Sequence, residues 1–449
     1  MLNEGREQWK ARIGFVLAAA GSAIGLGNIW RFPYVMGEQG GAAFLIIYII
    51  AIILIGYPAM VTEISVGRST QKNPVGAFKA LAPGTPWWLV GALGVLTGFI
   101  ILSYYSVVAG WSLSYIVKSL VGFPSDPEMA AQLFGDHIAG VAEPIIAHLV
   151  FMAITIGVIA AGVVKGIQRV VTVLMPILVI LLLVVIVRSV TLAGAGEGLS
   201  FMFTPDFGVI TGETFLSAIG QAFFTLSLGM GAILTYGSYL SSQDDIRKSS
   251  VEIIGADTAL AVLAGIAIFP AVFAIGLPVD DGPGLIFVTL PAVFAEMPLG
   301  SAFGFIFFLL LSIAALTSAI SLLEVVTAYF VDEKGWPRKK AAVLMGIIIF
   351  LVGVPSALHA GVLGDVSLAG MSVFDVFDFV ADSVMLPLGG ALTVFFAGHI
   401  WGVNNLMDEA NKGTVKGKIG TWIIPFVKYI IPLAVIVVMI IGIIQTFAD

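Results

Sequence analysis

The sequence predicts an all-α polytopic membrane protein of eleven transmembrane helices, arranged as two inverted five-helix repeats with helices one and six interrupted. Three observations predict it. Of 449 residues, 59% are hydrophobic and 11% charged, and mean hydropathy is +1.06, which is the composition of many spanning helices rather than of a soluble core. Apolar stretches long enough to cross a bilayer recur along the whole chain. The first and sixth of them carry glycines and polar residues in their interiors, where a continuous helix in hydrocarbon would carry neither.

The stretches cover 13–36, 41–66, 88–120, 145–164, 167–187, 213–240, 252–277, 302–331, 340–357, 371–401 and 420–446. The fourth and fifth are short and joined by a tight turn at Lys165–Gln168. Alternate loops are basic: Arg6, Lys10 and Arg12; Arg68, Lys72 and Lys79; Lys165 and Arg169; Arg247 and Lys248; Lys334, Arg338, Lys339 and Lys340; Lys412, Lys416 and Lys418. The opposite loops are acidic, with Asp126, Asp136, Glu143, Glu197, Asp206, Asp280 and Asp281. The positive-inside rule then places the N-terminus in the cytoplasm, and eleven spans place the C-terminus outside. A missed helix would scramble this alternation. Loops 122–144 and 278–301 are longer and rich in Pro, Gly and acids, as external caps are. There is no N-x-S/T sequon, and the first apolar run lacks a small-residue cleavage site, so neither a signal peptide nor an extramembrane domain is expected. A bacterial inner (plasma) membrane fits best.

Composition also excludes. Without cysteine there is no disulfide, thiolate metal site or cysteine nucleophile. Basic residues are scattered and net charge is −7, so no nucleic-acid partner is expected. The four histidines, His137, His148, His359 and His399, form no metal-ligand spacing. No phosphate loop and no nucleophile–base set appears, so an enzyme is not expected.

Segment one contains GSAIGLGNIWRFP, Gly21 to Pro33. Gly21, Gly25 and Gly27 each cost a helix about 1 kcal/mol relative to alanine, and Asn28 and Arg31 are expensive in a bilayer unless used. Irregular backbone at that depth survives only where it is buried in protein or lines a cavity, offering carbonyls to cations and N–H groups to an anion. Close helix packing through small residues is the alternative. Segment six reads GQAFFTLSLGMGAILTYGSYL, with Gly229 and Gly231 beside Thr225 and Ser227. Segments one and six each open a group of five, and two odd-numbered groups insert in opposite senses. That gives repeats over 1–190 and 205–402, with the eleventh helix and its preceding loop at 403–449. Paired interrupted helices at matching places point to a transporter site.

Further residues carry chemistry. Asp257 lies in segment seven with no base nearby in sequence; an ionised carboxylate there faces a cation or a structural partner such as Lys248 or Arg247. In segment eight, Ala314, Leu316, Thr317 and Ser318 offer hard oxygens, unless the hydroxyls only bond back to the preceding turn. Arg31 with Asp378 outside, and Arg6 with Asp332 inside, are placed as weak, breakable gates, although exposed pairs of this kind contribute only about 0–1 kcal/mol. Gly166 and Pro176 in segment five mark either a static kink or a helix end able to unwind and admit water.

These residues resemble a known family. W-x-x-R-x-G from Trp9 to Gly14, GSAIGLGNIWRFP, EQGG at Glu38–Gly41, SYYSVVAGW from Ser103 to Trp111 and FFTLSLGMGAILTYGSY from Phe223 to Tyr239 are together similar to the neurotransmitter:sodium symporters, over nearly the whole chain. The resemblance implies a fold of five plus five inverted helices with substrate midway, between the breaks in helices one and six. It implies one sodium held by Ala23, Asn28, Thr225, Asp257 and the substrate carboxylate. A second would be held by Gly21, Ile24, Ala314, Thr317 and Ser318. Tyr105 and the N–H groups of Leu26 and Gly27 would bind the substrate carboxylate. Ile101, Phe224, Ser227, Met230 and Leu322 would shape the side-chain pocket, with Ala23, Gly25, Thr225 and Ser318 completing the substrate set. Phe224 would lid the site below Arg31 and Asp378, while Arg6, Trp9, Tyr239 and Asp332 would close the cytoplasmic side.

Departures from the family pattern narrow the expectation. Gly25 stands where the monoamine transporters of the family carry an aspartate, so the substrate should bring its own carboxylate, as an α-amino acid does. The pocket positions are uncharged and apolar, and Met230 is adaptable, which suits neutral hydrophobic side chains from aliphatic to indole. Asp257 replaces the usual asparagine, and Ala261 stands where a bacterial relative has glutamate. A fixed negative charge at the first ion site implies independence from chloride, with proton antiport through Asp257 a further possibility. The expected activity is sodium-coupled import of hydrophobic L-amino acids by alternating access. The alternative is a sodium-permeable channel or an amino-acid sensor on the same architecture. Oligomeric state is not legible.

Overall fold

The computed structural model describes residues 7–276, 284–414 and 417–448. Arg6, Asp280, Asp281 and Lys416 lie outside the described residues. The helices that position the site are α1 (Arg12–Ala23), α2 (Gly27–Glu38), α3 (Ala42–Thr70), α4 (Pro74–Leu81), α5 (Trp88–Val121), α6 (Pro127–Ala139), α7 (Ala142–Ala160), α8 (Val163–Val190), α9 (Ala195–Phe203), α10 (Gly212–Thr225), α11 (Ala232–Gly237), α12 (Ile246–Ile275), α13 (Leu285–Glu296), α14 (Gly300–Lys334), α15 (Arg338–Ala357), α16 (Val373–Ile400), α17 (Val403–Ala410) and α18 (Ile423–Phe447).

Among the described residues, nine helices are long and apolar enough to span a bilayer, and α1 with α2 makes a tenth, bent by 48° at the break. The segment expected at 213–240 divides into α10 and α11, neither of spanning length by itself. Glycine and a left-handed serine between them end one helix before the other begins. The expected turn at Lys165–Gln168 is corrected. The chain reverses at Ala161–Gly162, where Gly162 takes φ +103°, and Val163–Gln168 is already the widened first turn of α8. A tight reversal needs the positive φ that glycine adopts without strain. Pro176 sits inside α8, which is wound across the whole interval from Gly166.

Helices α5 and α14 run 34 and 35 residues, about 50 Å at 1.5 Å per residue, and so overshoot the hydrocarbon at their ends. They pack together along their length, and α1 lies against α12 and α14. Their buried faces carry polar groups, among them Ser106, Asp257, Thr317, Ser318, Ser321 and Glu324. The periphery is the reverse. Val173, Ile177, Ile180, Leu183 and Val187 on α8, and Leu433, Ile440 and Ile444 on α18, are exposed, as a lipid-facing surface is. Before α16 a two-residue antiparallel pairing (Ser367–Leu368 with Met371–Ser372) closes on Ala369 and Gly370, both at positive φ, the tight turn that matches strand twist.

Candidate transport site between the two breaks

At the first break, Ile24 leaves α1 with φ −74° and ψ 91° while its N–H still reaches the Ala20 carbonyl at 2.7 Å. Asn28 Oδ1 accepts the Gly25 N–H at 3.1 Å and the Tyr105 hydroxyl accepts the Leu26 N–H at 3.3 Å. A β-carbon at Gly25 would run into Ser318 Oγ and lie 3.0 Å from the Tyr105 hydroxyl, so glycine is the residue that lets helices α5 and α14 close over this turn.

At the second break, Leu226–Gly231 is unwound between α10 and α11. Ser227, Gly229 and Gly231 take φ of +53°, +82° and +75°. The left-handed serine is offset by a bond to another helix, its hydroxyl donating to the Ser22 carbonyl at 2.9 Å. The Gly229 N–H is satisfied by Glu63 Oε1 at 2.7 Å, from a carboxylate on α3 that is 2% exposed.

Between the breaks is a cavity of about 30 Å³. Of the substrate residues expected from the sequence, Ala23, Gly25, Gly27, Ile101, Tyr105, Phe224, Ser227, Met230, Ser318 and Leu322 line it. Leu26 and Thr225 do not; Leu26 meets Tyr105 through its N–H, and Thr225 is turned toward Asp257. Two lining serines were not expected. Ser22 Oγ donates to Ser321 Oγ at 2.7 Å and lies 3.2 Å from Ser227 Oγ, joining α1, α14 and the second break beneath the cavity.

Asn28, Thr225 and Asp257 converge from three helices. Asp257 is fully buried, and its Oδ1 accepts from Asn28 Nδ2 at 2.8 Å and Thr225 Oγ1 at 3.0 Å. Its Oδ2 is buried with no protein partner. A buried carboxylate with one unpartnered oxygen, beside the Thr225 hydroxyl and the Asn28 side-chain amide, offers the kind of oxygen ligand that a small hard cation takes. Among the described ion pairs none joins Asp257 to Lys248 or Arg247; Arg247 reaches the Gly417 carbonyl, and Lys248 lies beside Glu252.

The second oxygen cluster forms where α1 ends against α14. Thr317 Oγ1 lies 3.3 Å from the Ile24 carbonyl and 2.9 Å from that of Ala314, and Gly21 packs on Thr317. Ser318, expected in the same shell, donates instead to the Ser22 carbonyl at 2.9 Å.

Both ends of the site are closed. At the Arg31 end, the partner of Arg31 is Asp382, with Nη1 to Oδ2 at 2.8 Å, which corrects the expected Asp378. The two acids are one helical turn apart on α16, and Tyr104 donates to Asp382 Oδ1 at 3.1 Å. The guanidinium lies 4.4 Å from the Phe224 ring centroid, a cation–π contact. At the Trp9 end, Trp9 donates its indole N–H to the Tyr236 carbonyl at 3.1 Å, and Tyr239 donates to Glu324 Oε1 at 2.6 Å. Glu324 is buried in an ion pair with Arg338. Asp332 accepts the Asn73 N–H at 2.9 Å.

Sequence reasoning missed Glu63 and the Glu324–Arg338 pair. Glu63 was findable: like Asp257, it is an acid inside an apolar segment, with its nearest base five residues on, at Arg68. Glu324 carries the same signal in segment eight.

Comparisons with known proteins bear on the family and the fold. The model of the sodium:neurotransmitter symporter family matches residues 6–125 and 133–448. A Bacillus subtilis (strain 168) sodium-dependent transporter, YhdH, is 45% identical over 435 residues, 96% of each chain. A sodium-dependent transporter of Haemophilus influenzae is 37% identical over 98% of each chain. Among solved structures, MhsT in complex with L-phenylalanine superposes with a TM-score of 0.89 at 48% identity, covering 98% of this chain and 100% of that one. The fold is therefore the inverted-repeat transporter fold, and the chain is a membrane transporter rather than an enzyme. It belongs to the sodium:neurotransmitter symporter family.

Proposed function

We propose that the protein imports neutral hydrophobic L-amino acids, aliphatic and aromatic and including tryptophan, by sodium-coupled alternating access without chloride. The observation that carries this reading is the pairing of a small, mostly apolar cavity between the two breaks with the buried Asp257 carboxylate, which is bonded to Asn28 just past the first break and to Thr225 just before the second. MhsT, solved with L-phenylalanine, supports the substrate class.

In this reading Asn28, Thr225, Asp257 and the Ala23 carbonyl take one sodium, whose shell the substrate carboxylate completes. Gly21, Ile24, Ala314, Thr317 and Ser318 take the second. Tyr105 and the N–H groups of Leu26 and Gly27 meet the substrate carboxylate, while Ile101, Phe224, Ser227, Met230 and Leu322 surround its side chain. Because ion and substrate share ligands, each raises the affinity of the other by the same factor. The buried Asp257 supplies the negative charge at the first ion site, so chloride has no role to fill. Two sodium ions with a zwitterion make transport electrogenic, and each charge crossing 100 mV contributes about 2.3 kcal/mol.

The remaining assignments follow. Residues 213–240 form the sixth span, which brings the count to eleven; the repeats cover 1–190 and 205–402, the eleventh helix and its loop cover 403–449, and the protein sits in a bacterial inner membrane with its N-terminus inside. Arg31 with Asp382, and Asp378 beside them, close the outer gate. Arg6, Trp9, Tyr239 and Asp332 close the inner one, and α8 unwinds between Gly166 and Pro176 to let water reach the second sodium.

Uptake of labelled amino acids into proteoliposomes after a sodium jump, with and without chloride, tests the reading. Leucine, valine, phenylalanine and tryptophan should compete and be accumulated equally in both buffers. Preference for a charged amino acid, strict chloride dependence, or sodium conductance without substrate would overturn it.

A further inference from the structure

The reversal between α7 and α8 is gripped at both ends by residues of the cytoplasmic gate. On one side, Arg338 Nε donates to the Ile159 carbonyl at 2.9 Å, at the end of α7. On the other, the Val163 N–H, the first of α8, donates to Glu7 Oε2 at 2.6 Å. The helix has no capping side chain of its own, because its N-cap position is Gly162. Uncapped N–H groups at a helix start are satisfied by a neighbouring acceptor or by water, and a carboxylate there also suits the positive end of the helix dipole. Glu7 is therefore the cap of α8, supplied from the segment that precedes α1.

The same two residues belong to the gate. Glu7, Val163, Tyr239, Asp332 and Arg338 line one cytoplasmic cavity of about 530 Å³. Arg338 is simultaneously ion-paired to Glu324, which accepts from Tyr239. A second tie joins the same elements: Gln168 Oε1 accepts the Lys10 N–H at 3.3 Å, and its side chain packs on Gly14 of α1. The segment 7–14 thus cannot leave the bundle without removing the cap from Val163 and the wedge from Gln168.

We infer that Glu7 and Arg338 form a clamp that keeps the first turns of α8 wound while the cytoplasmic gate is closed, and that gate opening releases it. This rests on the proposed unwinding of α8 and names what controls it. The widened turn Val163–Gln168 is the weak point. Its hydrogen bonds are already displaced from the regular helical pattern, so loss of the cap leaves little to stop it fraying. Glu7 is a positioning residue and touches neither ion site.

Amide hydrogen exchange on the full-length transporter in nanodiscs, with sodium and leucine present, tests the clamp. In Glu7→Ala, which removes the acceptor, exchange at 163–168 should rise at least tenfold while α14 and the C-terminal half of α8 stay as in the wild type, and release of preloaded leucine should speed up several-fold. A merely structural defect would slow release and loosen the whole bundle. Wild-type exchange at 163–168 in Glu7→Ala, with sodium-driven uptake intact, would overturn the clamp and leave the transport reading standing. If Glu7→Ala does not fold, Arg338→Lys reads the other end, since lysine loses the Nε donor. Deprotection of 159–168 supports the clamp, and unchanged protection there overturns it. If wild-type uptake shows no sodium dependence, the transport reading fails on its own terms, whatever the exchange pattern.

Discussion

The two breaks that frame the site are built differently. The first, around Ile24–Leu26, stays at negative φ at Ile24 and Leu26 and keeps local bonds, Asn28 back to Gly25 and Ile24 to Ala20, with Tyr105 taking the Leu26 N–H from outside. The second, Leu226–Gly231, passes through three positive-φ residues and depends on distant groups, Glu63 on α3 and Ser22 on α1. The first is a rigid nest and the second a strap tied down at points. A carrier that must pass ions and substrate through one gap can use both: a fixed half for coordination and a releasable half for closure. Asp257 is bonded to Asn28 just past the first break, and Glu63 ties down the second.

This difference is open to attack, and the largest effect is expected at the strap. Gly229 has φ +82°, and a β-carbon there would meet the Leu386 carbonyl and lie 2.9 Å from Gly390 N. Gly229→Ala adds about 1–2 kcal/mol of left-handed strain to a backbone collision, so leucine binding should weaken by more than about 100-fold in a scintillation proximity assay. Binding within threefold of wild type would show that the strap is not rigidly placed.

Asp257→Ala should come next. It removes the only carboxylate in the Asn28–Thr225 cluster, and apparent sodium affinity should drop about 10- to 100-fold, that is by about 1.4–2.8 kcal/mol. Sodium titration of leucine binding checks it, and an unchanged midpoint would move the ion away from the first break.

Glu63→Gln keeps an acceptor for the Gly229 N–H but loses its charge assistance, which contributes about 1 kcal/mol. Substrate affinity should fall about three- to tenfold with the sodium midpoint nearly unchanged. A shift in the sodium midpoint as large as that of Asp257→Ala would erase the distinction between the two halves. The smallest effect distinguishes two substitutions at one position. Ser227→Gly relieves about 1 kcal/mol of strain and loses a hydrogen bond of similar size, so binding should stay within about threefold. Ser227→Ala loses the bond and keeps the strain, and should bind about fivefold more weakly; equal behaviour of the pair would remove the role given to its φ.

Much of this site was legible in the chain because its signals are local. Three glycines beside Asn28 in one apolar run, and Asp257 with no base near it in another, each break the rules for a hydrocarbon-spanning helix within a single segment. What escaped is pairing between distant segments. Asp378 and Asp382 are equivalent in sequence, and only the fold shows which one meets Arg31. The hydroxyls of Ser22 and Ser321 look like ordinary small packing residues until the fold stacks them under the cavity. The reversal at Gly162 was displaced by a few residues because Lys165 and Gln168 look like a polar turn, whereas the structure winds them into α8.

The central claim is that amino acid and sodium complete one another's coordination in the gap between the breaks. Equilibrium dialysis of labelled leucine against the purified transporter, across a sodium series in chloride-free buffer, tests it most directly. The account predicts that leucine affinity rises steadily with sodium to a plateau, and that leucine raises sodium affinity by the same factor. Leucine affinity that is identical at zero and saturating sodium would contradict it.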